Sequence, residues 1–175
     1  MPAQAYVALG GNIGDRLATL RSAVRALHAT DEVAVLRSSG IYETTPVGPS
    51  KEPFLNAAVE VSTALGPPEL LEQLHRIERA HGRERRVRWD ARTLDLDLLL
   101  YLEAEDAAPR VTHDGHCRLP HPAMLERDFV LVPMVDLAPT LVLDGASLAQ
   151  HLAALPETDR TVLARLEVDP LAPPR

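Results

Sequence analysis

Two aspartates two residues apart, Asp95 and Asp97, sit in the run T-L-D-L-D-L-L-L-Y, whose leucines mark it as a strand. Side chains at i and i+2 of a strand share a face, so the carboxylates lie side by side. Mutual repulsion and desolvation penalise that arrangement unless a cation neutralises both. A hard, oxygen-seeking Mg2+ suits such a pair. A solvated sheet face, or pairing with nearby Arg, explains the same spacing without a metal. The segment just upstream favours the metal: G-R-E-R-R-V-R-W-D-A-R sets Arg83, Arg85, Arg88 and Arg92 beside the carboxylates. Permanently charged guanidiniums make the bidentate contacts that a triphosphate needs.

Other residues extend this chemistry or limit it. Seven of the 17 Arg fall between Arg76 and Arg92, and Lys51 is the only Lys. Trp89, the only Trp, lies inside the Arg cluster, where it could stack on a heteroaromatic ring or fill the core. G-G-N-I-G, from Gly10 to Gly14, opens a helix as a phosphate-binding turn would, but the G-x-x-x-x-G-K-[ST] pattern and its lysine are missing. A P-loop is therefore excluded, and a nucleotide site must be built from Arg and metal. His121, in L-P-H-P, could reach a phosphate or cap its own turn. His113, His116 and Cys117 lack a fourth ligand for zinc.

Composition sets the frame. The chain has 175 residues and no composition break in its first 150, which predicts a single domain over 1–168 and a Pro-rich tail, 169–175, that frays. A formal net charge of -7 argues against nucleic-acid binding, which needs a surplus of cations. The single cysteine excludes an internal disulfide and points to a reducing compartment. Met1 to Gly11 has no basic segment of a signal peptide, and no apolar run approaches the roughly 20 residues of a membrane span. A soluble, cytoplasmic protein is expected, with nothing demanding more than a monomer.

The elements that must carry these residues follow from periodicity. Ala5 to Gly11 reads as a buried strand ended by a glycine turn. From Asp15 to His28, Leu17, Leu20, Val24 and Leu27 recur at helical spacing. Val33 to Tyr42 reads as a strand running into the irregular T-T-P-V-G-P-S. Phe54 to Thr63 alternates, with Leu55, Ala57, Val59 and Val61 on one face and Phe54, Asn56 and Ala58 on the other. A helix from Pro67 carries Leu71, Leu74 and Ile77 and stops at Gly82. In the last strand Leu94, Leu96, Leu98 and Leu100 are expected on one face, and Asp95, Asp97, Leu99 and Tyr101 on the other. This β-α-β-β-α-β order predicts an α+β, ferredoxin-like antiparallel sheet. Short helices at 129–137 and 147–155 would cover its second face, leaving helices on both.

The blocks G-G-N-I-G-D, Y-E-T-T-P-V-G-P, F-L-N-A-A-V, I-E-R-A-H-G-R, R-W-D-A-R-T-L-D-L-D and L-P-H-P-A-M-L-E-R-D-F-V-L-V-P occur in that order from about Ala5 to Leu155. Together they closely resemble the 6-hydroxymethyl-7,8-dihydropterin pyrophosphokinase family. The resemblance implies that the pterin's hydroxymethyl oxygen attacks the β-phosphorus of ATP, the co-substrate, giving AMP and the pterin diphosphate ester. It implies two Mg2+ ions on Asp95 and Asp97. Arg83, Arg85 and Arg92 would clamp phosphates in a closing loop, with Trp89 moving alongside. His121 and Arg127 would contact ATP phosphates, and Glu78, Leu98 and His75 would lie near the nucleoside. The pterin would sit between Phe54 and Phe129, its edge read by Thr44, Asn56 and backbone groups near Pro46 and Val47, close to Trp89 and Asp95. Phe54 stands where many relatives carry Tyr, and His75 where many carry Gln. The stretch between Tyr101 and Leu119 is longer than in compact relatives, and the resemblance implies no site residue within it.

Overall fold

The computed structural model describes residues 2–46, 51–82, 93–103, 108–114, 117–169 and 171. Strand β1 (Ala3–Gly11) runs without a break against β4 (Phe54–Thr63) on one side and pairs with β5 (Asp95–Leu102) on the other, both antiparallel. On the far side of β4 two shorter strands follow one another: β2 (Val33–Ser38) beside Val59–Thr63 and β3 (Tyr42–Thr44) beside Phe54–Asn56. Counted as one interrupted strand, β2 and β3 complete the expected ferredoxin-like order, with β1 and β4 central. Ser39 bridges the interruption: its amide donates to Ala58 O at 2.9 Å, and its hydroxyl accepts from Ala58 N at 2.9 Å.

Helices α1 (Arg16–His28) and α2 (Pro67–Ala80) cover one face. Leu20, Val24 and Leu27 of α1, with Leu70, Leu74 and Ile77 of α2, bury against Val7, Leu9, Ala57, Val59, Leu96 and Leu98. Leu70, rather than Leu71, joins Leu74 as a fully buried member of the α2 stripe, and Leu71 is only partly covered. Asp15 caps α1, its carboxylate accepting from Ala18 N at 3.0 Å.

The second face carries α3 (Asp128–Leu137) and α4 (Leu148–Ala154), whose Val130, Leu131, Met134 and Leu148 pack on Tyr6, Ala58, Leu99 and Leu100. Two layers of helices thus enclose one antiparallel sheet, the predicted α+β sandwich. Ser147 and Gln150 close a reciprocal capping box at the start of α4. Two small hairpins, β6 (Thr112–Asp114) with β7 (Cys117–Leu119) and β8 (Val142–Leu143) with β9 (Ala146–Ser147), join these elements. Among the described residues no helix is long and apolar enough to cross a membrane.

Three expectations are revised. The glycine pair Gly10–Gly11 belongs to β1 itself, since both residues pair with β4. The alternation of β5 does not hold throughout: Tyr6 pairs with Leu100 but Val7 pairs with Leu98, so Leu99 is an inserted residue. Such a bulge switches the phase of the strand. Leu100 therefore joins Leu99 and Leu102 on the α3 face, and Tyr101 turns to the α1–α2 face, its hydroxyl donating to Leu65 O at 2.8 Å. Finally, a strand not expected from the sequence, β10 (Val162–Arg165), pairs with the outer edge of β3. Beyond it Leu171, in the segment expected to fray, is only 1% exposed.

Candidate active site

Alternation in β4 sends Leu55 and Ala57 into the α1–α2 core, so Phe54, Asn56 and Ala58 face the other way. Register then builds rows across the sheet. Gly10 of β1 pairs with both Asn56 and Asp95, and Ala8 pairs with both Ala58 and Asp97. Asn56 and Asp95 therefore lie two strands apart on one face, roughly 10 Å at the usual strand spacing. The floor between them is glycine and alanine. On the opposite flank of β4, Thr44 pairs with Phe54 and Tyr42 pairs with Asn56.

The floor must be low at position 10. A β-carbon on Gly10 would stand 2.7 Å from Asn56 Oδ1, so the Asn56 amide lies over the glycine backbone. From there Asn56 Nδ2 donates to Thr44 Oγ1 at 2.7 Å, and Thr44 is buried. The approach to Phe54 is pinned to the start of α1. Asn12 Nδ2 donates to Glu52 O at 3.2 Å and Arg16 donates to Pro53 O at 2.8 Å, while Arg16 pairs with Glu43 at 3.1 Å.

Asp95 and Asp97 are both half-buried at the start of β5. Above them the L-P-H-P turn is tied to the bulge, His121 N donating to Leu99 O at 2.9 Å. Burial pushes the His121 imidazole below its ordinary value, and Arg127 adds to that; Asp95 opposes both. The balance favours the neutral imidazole, with Arg127 and Asp95 acting on it in opposite senses. The Arg127 guanidinium lies 5.7 Å from the centre of the Phe129 ring, at the first turn of α3.

Asp95, Asp97, Asn56, Thr44, Phe54, His121, Arg127 and Phe129 thus belong to the α3 side of the sheet, and half-buried Pro46 follows β3. Glu78 and Leu98 belong to the α2 side. Glu78 is 1% exposed and its Oε1 accepts from Leu96 N of β5 at 2.7 Å, and the Leu98 side chain is in the α1–α2 core. His75 is half-buried on α2. Arg83, Arg85, Arg88, Trp89, Arg92 and Val47 lie outside the described residues, as does His116. Cys117, the single cysteine of the sequence, is buried. The α1 N-terminus is capped by Asp15, so its Ala18 amide already has an anion. Sequence reasoning did not single out Gly10 as the floor or Asn12 and Arg16 as the pins. Their signal, G-G-N-I-G-D-R, was visible only as a turn.

Among the described residues no three His, Cys, Asp or Glu side chains converge as a metal-binding group. Mg2+ commonly uses one or two protein carboxylates and completes its shell with water and substrate phosphate. Asp95 and Asp97, adjacent on one strand face, fit that demand.

Comparison with known proteins now adds a family. The model of the family described as 7,8-dihydro-6-hydroxymethylpterin-pyrophosphokinase matches residues 6–139. A 2-amino-4-hydroxy-6-hydroxymethyldihydropteridine pyrophosphokinase of Bacillus subtilis is 48% identical over 134 residues, covering 76% of this chain and 77% of that protein. The protein of the same name from Methylorubrum extorquens is 43% identical over 153 residues, 87% of this chain and 93% of its own length. Among solved structures, wild-type Plasmodium falciparum HPPK-DHPS with STZ-DHP superimposes with a TM-score of 0.67 at 13% identity, over 87% of this chain and 41% of that one. At that identity the likeness concerns the fold, and this chain spans less than half of the larger protein. With a family match over most of its length and relatives this similar, the chain belongs to the 7,8-dihydro-6-hydroxymethylpterin-pyrophosphokinase family.

Proposed function

We propose that this chain transfers the β,γ-pyrophosphoryl group of ATP to the hydroxymethyl oxygen of 6-hydroxymethyl-7,8-dihydropterin. A bond forms between that oxygen and the β-phosphorus, the bond from the β-phosphorus to the α,β-bridging oxygen breaks, and the hydroxyl loses its proton. AMP and the pterin diphosphate ester result. The observation that carries the reading is the row Asn56, Gly10 and Asp95 on one sheet face. It sets an amide that could read a heterocycle about two strand spacings from a carboxylate pair suited to a phosphate-bound cation.

In this reading Thr44, Asn56 and backbone groups at Pro46 and Val47 bind the pterin edge, and Phe54 and Phe129 stack on its faces. Asp95 and Asp97 would hold two Mg2+ ions. When bound, the metal neutralises triphosphate charge and acidifies the attacking hydroxyl, which makes a dedicated general base unnecessary. His121 donates to a phosphate as a neutral imidazole, and Arg127 supplies a fixed positive charge. Arg83, Arg85 and Arg92 clamp the remaining phosphate oxygens, and Trp89 closes with them over the site. Glu78, Leu98 and His75 lie towards the nucleoside. Every residue invoked comes from one chain, so the monomer is the proposed active unit. Cytoplasm is the proposed compartment, because a chain with one cysteine has no internal disulfide framework.

Nucleotide analysis tests the reaction. With Mg2+ and ATP, AMP is expected to accumulate only when the dihydropterin is added. ADP in its place, or no turnover, contradicts the proposal.

A further inference from the structure

Asp128 is 1% exposed and opens α3 between Arg127 and Phe129. A buried carboxylate is costly unless its oxygens are hydrogen-bonded. Here the donors come from a distant part of the chain. Thr161 N donates to Asp128 Oδ2 at 2.6 Å, Val162 N donates to the same oxygen at 2.9 Å, and the Thr161 hydroxyl donates to Oδ1. Thr161 in turn presents its carbonyl to Thr45 N at 2.8 Å, and Val162 pairs with Thr44.

The same C-terminal segment grips β3 at further points. Leu166 N donates to Ile41 O at 2.8 Å. The Arg165 guanidinium lies 5.9 Å from the centre of the Tyr42 ring and passes over Gly40, where a β-carbon would stand 2.6 Å from its Nε. β10 therefore joins two elements that are far apart in sequence: the start of α3, with Arg127 and Phe129, and the end of β3, with Thr44 bonded to Asn56. Thr161 and β10 also lie beyond residues 6–139, which match the family.

We propose that β10 is a strap that sets the separation of the two walls of the pterin site, and that Asp128 and Thr161 are positioning residues for pterin binding. The proposal rests on the functional reading above. Neither residue touches the substrate in this account; each acts through Phe129 on one side and Thr44 on the other. Loss of the Thr161 hydroxyl leaves Asp128 Oδ1 without that donor and loosens the hub while both backbone donors to Oδ2 remain.

Steady-state kinetics of Thr161→Val, Thr161→Ser and Asp128→Asn test it. Thr161→Val is expected to raise the pterin KM roughly tenfold, because small misplacement of a binding wall is felt strongly, while the ATP KM stays within about twofold. Thr161→Ser, which keeps the hydroxyl, is expected to restore the wild-type pterin KM. Asp128→Asn is expected to show the same split as Thr161→Val. Amide hydrogen exchange supplies a second readout: Thr45 exchanges faster in Thr161→Val than in wild type, with α1 and α2 unchanged. An unaltered pterin KM in folded Thr161→Val overturns the strap, as does a parallel rise in both KM values. Unfolding of Thr161→Val and Asp128→Asn assigns the contact to global stability and also overturns it. A wild-type chain that releases no AMP with pterin overturns the functional reading, and the positioning role with it.

Discussion

A side chain at position 10 would collide with Asn56 Oδ1, and Asn56 cannot yield without breaking its bond to Thr44. Gly10→Ala is accordingly predicted to displace the Asn56 amide, raising the pterin KM by about tenfold, and to lower the thermal midpoint as well, because Gly10 is itself buried. Parallel kinetics and thermal melts check this, and an unchanged pterin KM counts against the proposed pocket. His121 offers a test of geometry that needs no turnover. Its imidazole is lowered by burial and by Arg127 and raised by Asp95. The midpoint seen by NMR is predicted to move up in Arg127→Gln and down in Asp95→Asn. Shifts of the opposite sign would mean that the three groups are not arranged as described. At this scale the sequence was readable where chemistry and spacing coincide, as for Asp95 and Asp97. It was silent where a residue matters through a partner distant in sequence. Nothing near Asp128 announces Thr161, and nothing near Gly10 announces Asn56.

Elements are held together across the α3 face by a few polar contacts. Asp136 Oδ2 accepts from Gly40 N at 2.9 Å and from the Tyr42 hydroxyl at 2.7 Å. Arg37 donates to buried Glu60 at 2.7 Å and reaches Leu137 O at 3.1 Å. The first contact carries a pH signature. Burial, then the bond to Asp136 and its charge, push the Tyr42 phenol from 10.0 up to about 12. A raised phenol keeps its proton in the folded state after the unfolded chain has lost it. Tyr42's contribution to stability is therefore complete below the unfolded value and is lost as pH rises from 10.0 to about 12. Urea unfolding through that window is predicted to show a steeper decline for wild type than for Tyr42→Phe. Tyr6 and Tyr101 are also raised and persist in both proteins, so equal slopes would assign the decline to them instead. The phase switch in β5 was not legible because L-L-L-Y-L contains no charged residue to reveal it. β10 was hidden for another reason: T-V-L-A-R-L is short and follows a 3-10 turn at Glu157–Asp159, and its partner β3 lies more than a hundred residues upstream.

For the molecule as a whole, the order of elements sufficed to predict a ferredoxin-like sheet, because four strand segments and two amphipathic stripes leave few antiparallel arrangements. Their assembly turns a local charge problem into a site. The carboxylate pair occupies the end of a sheet whose small floor residues continue to Asn56, and α3 and the L-P-H-P turn bring Arg127, Phe129 and His121 to the same side. A net charge of -7 is compatible with the proposed anion binding because seven of the 17 Arg are concentrated in the sequence between Arg76 and Arg92, just before the carboxylate pair. The most direct test of the central claim follows the β-phosphorus. With ATP labelled at that atom, wild type is predicted to deliver the label to the pterin product with one AMP per transfer. Asp95→Ala and Asp97→Ala, folded as wild type, are predicted to lose most of that transfer. Label retained in ADP, or near wild-type transfer in both variants, would contradict it.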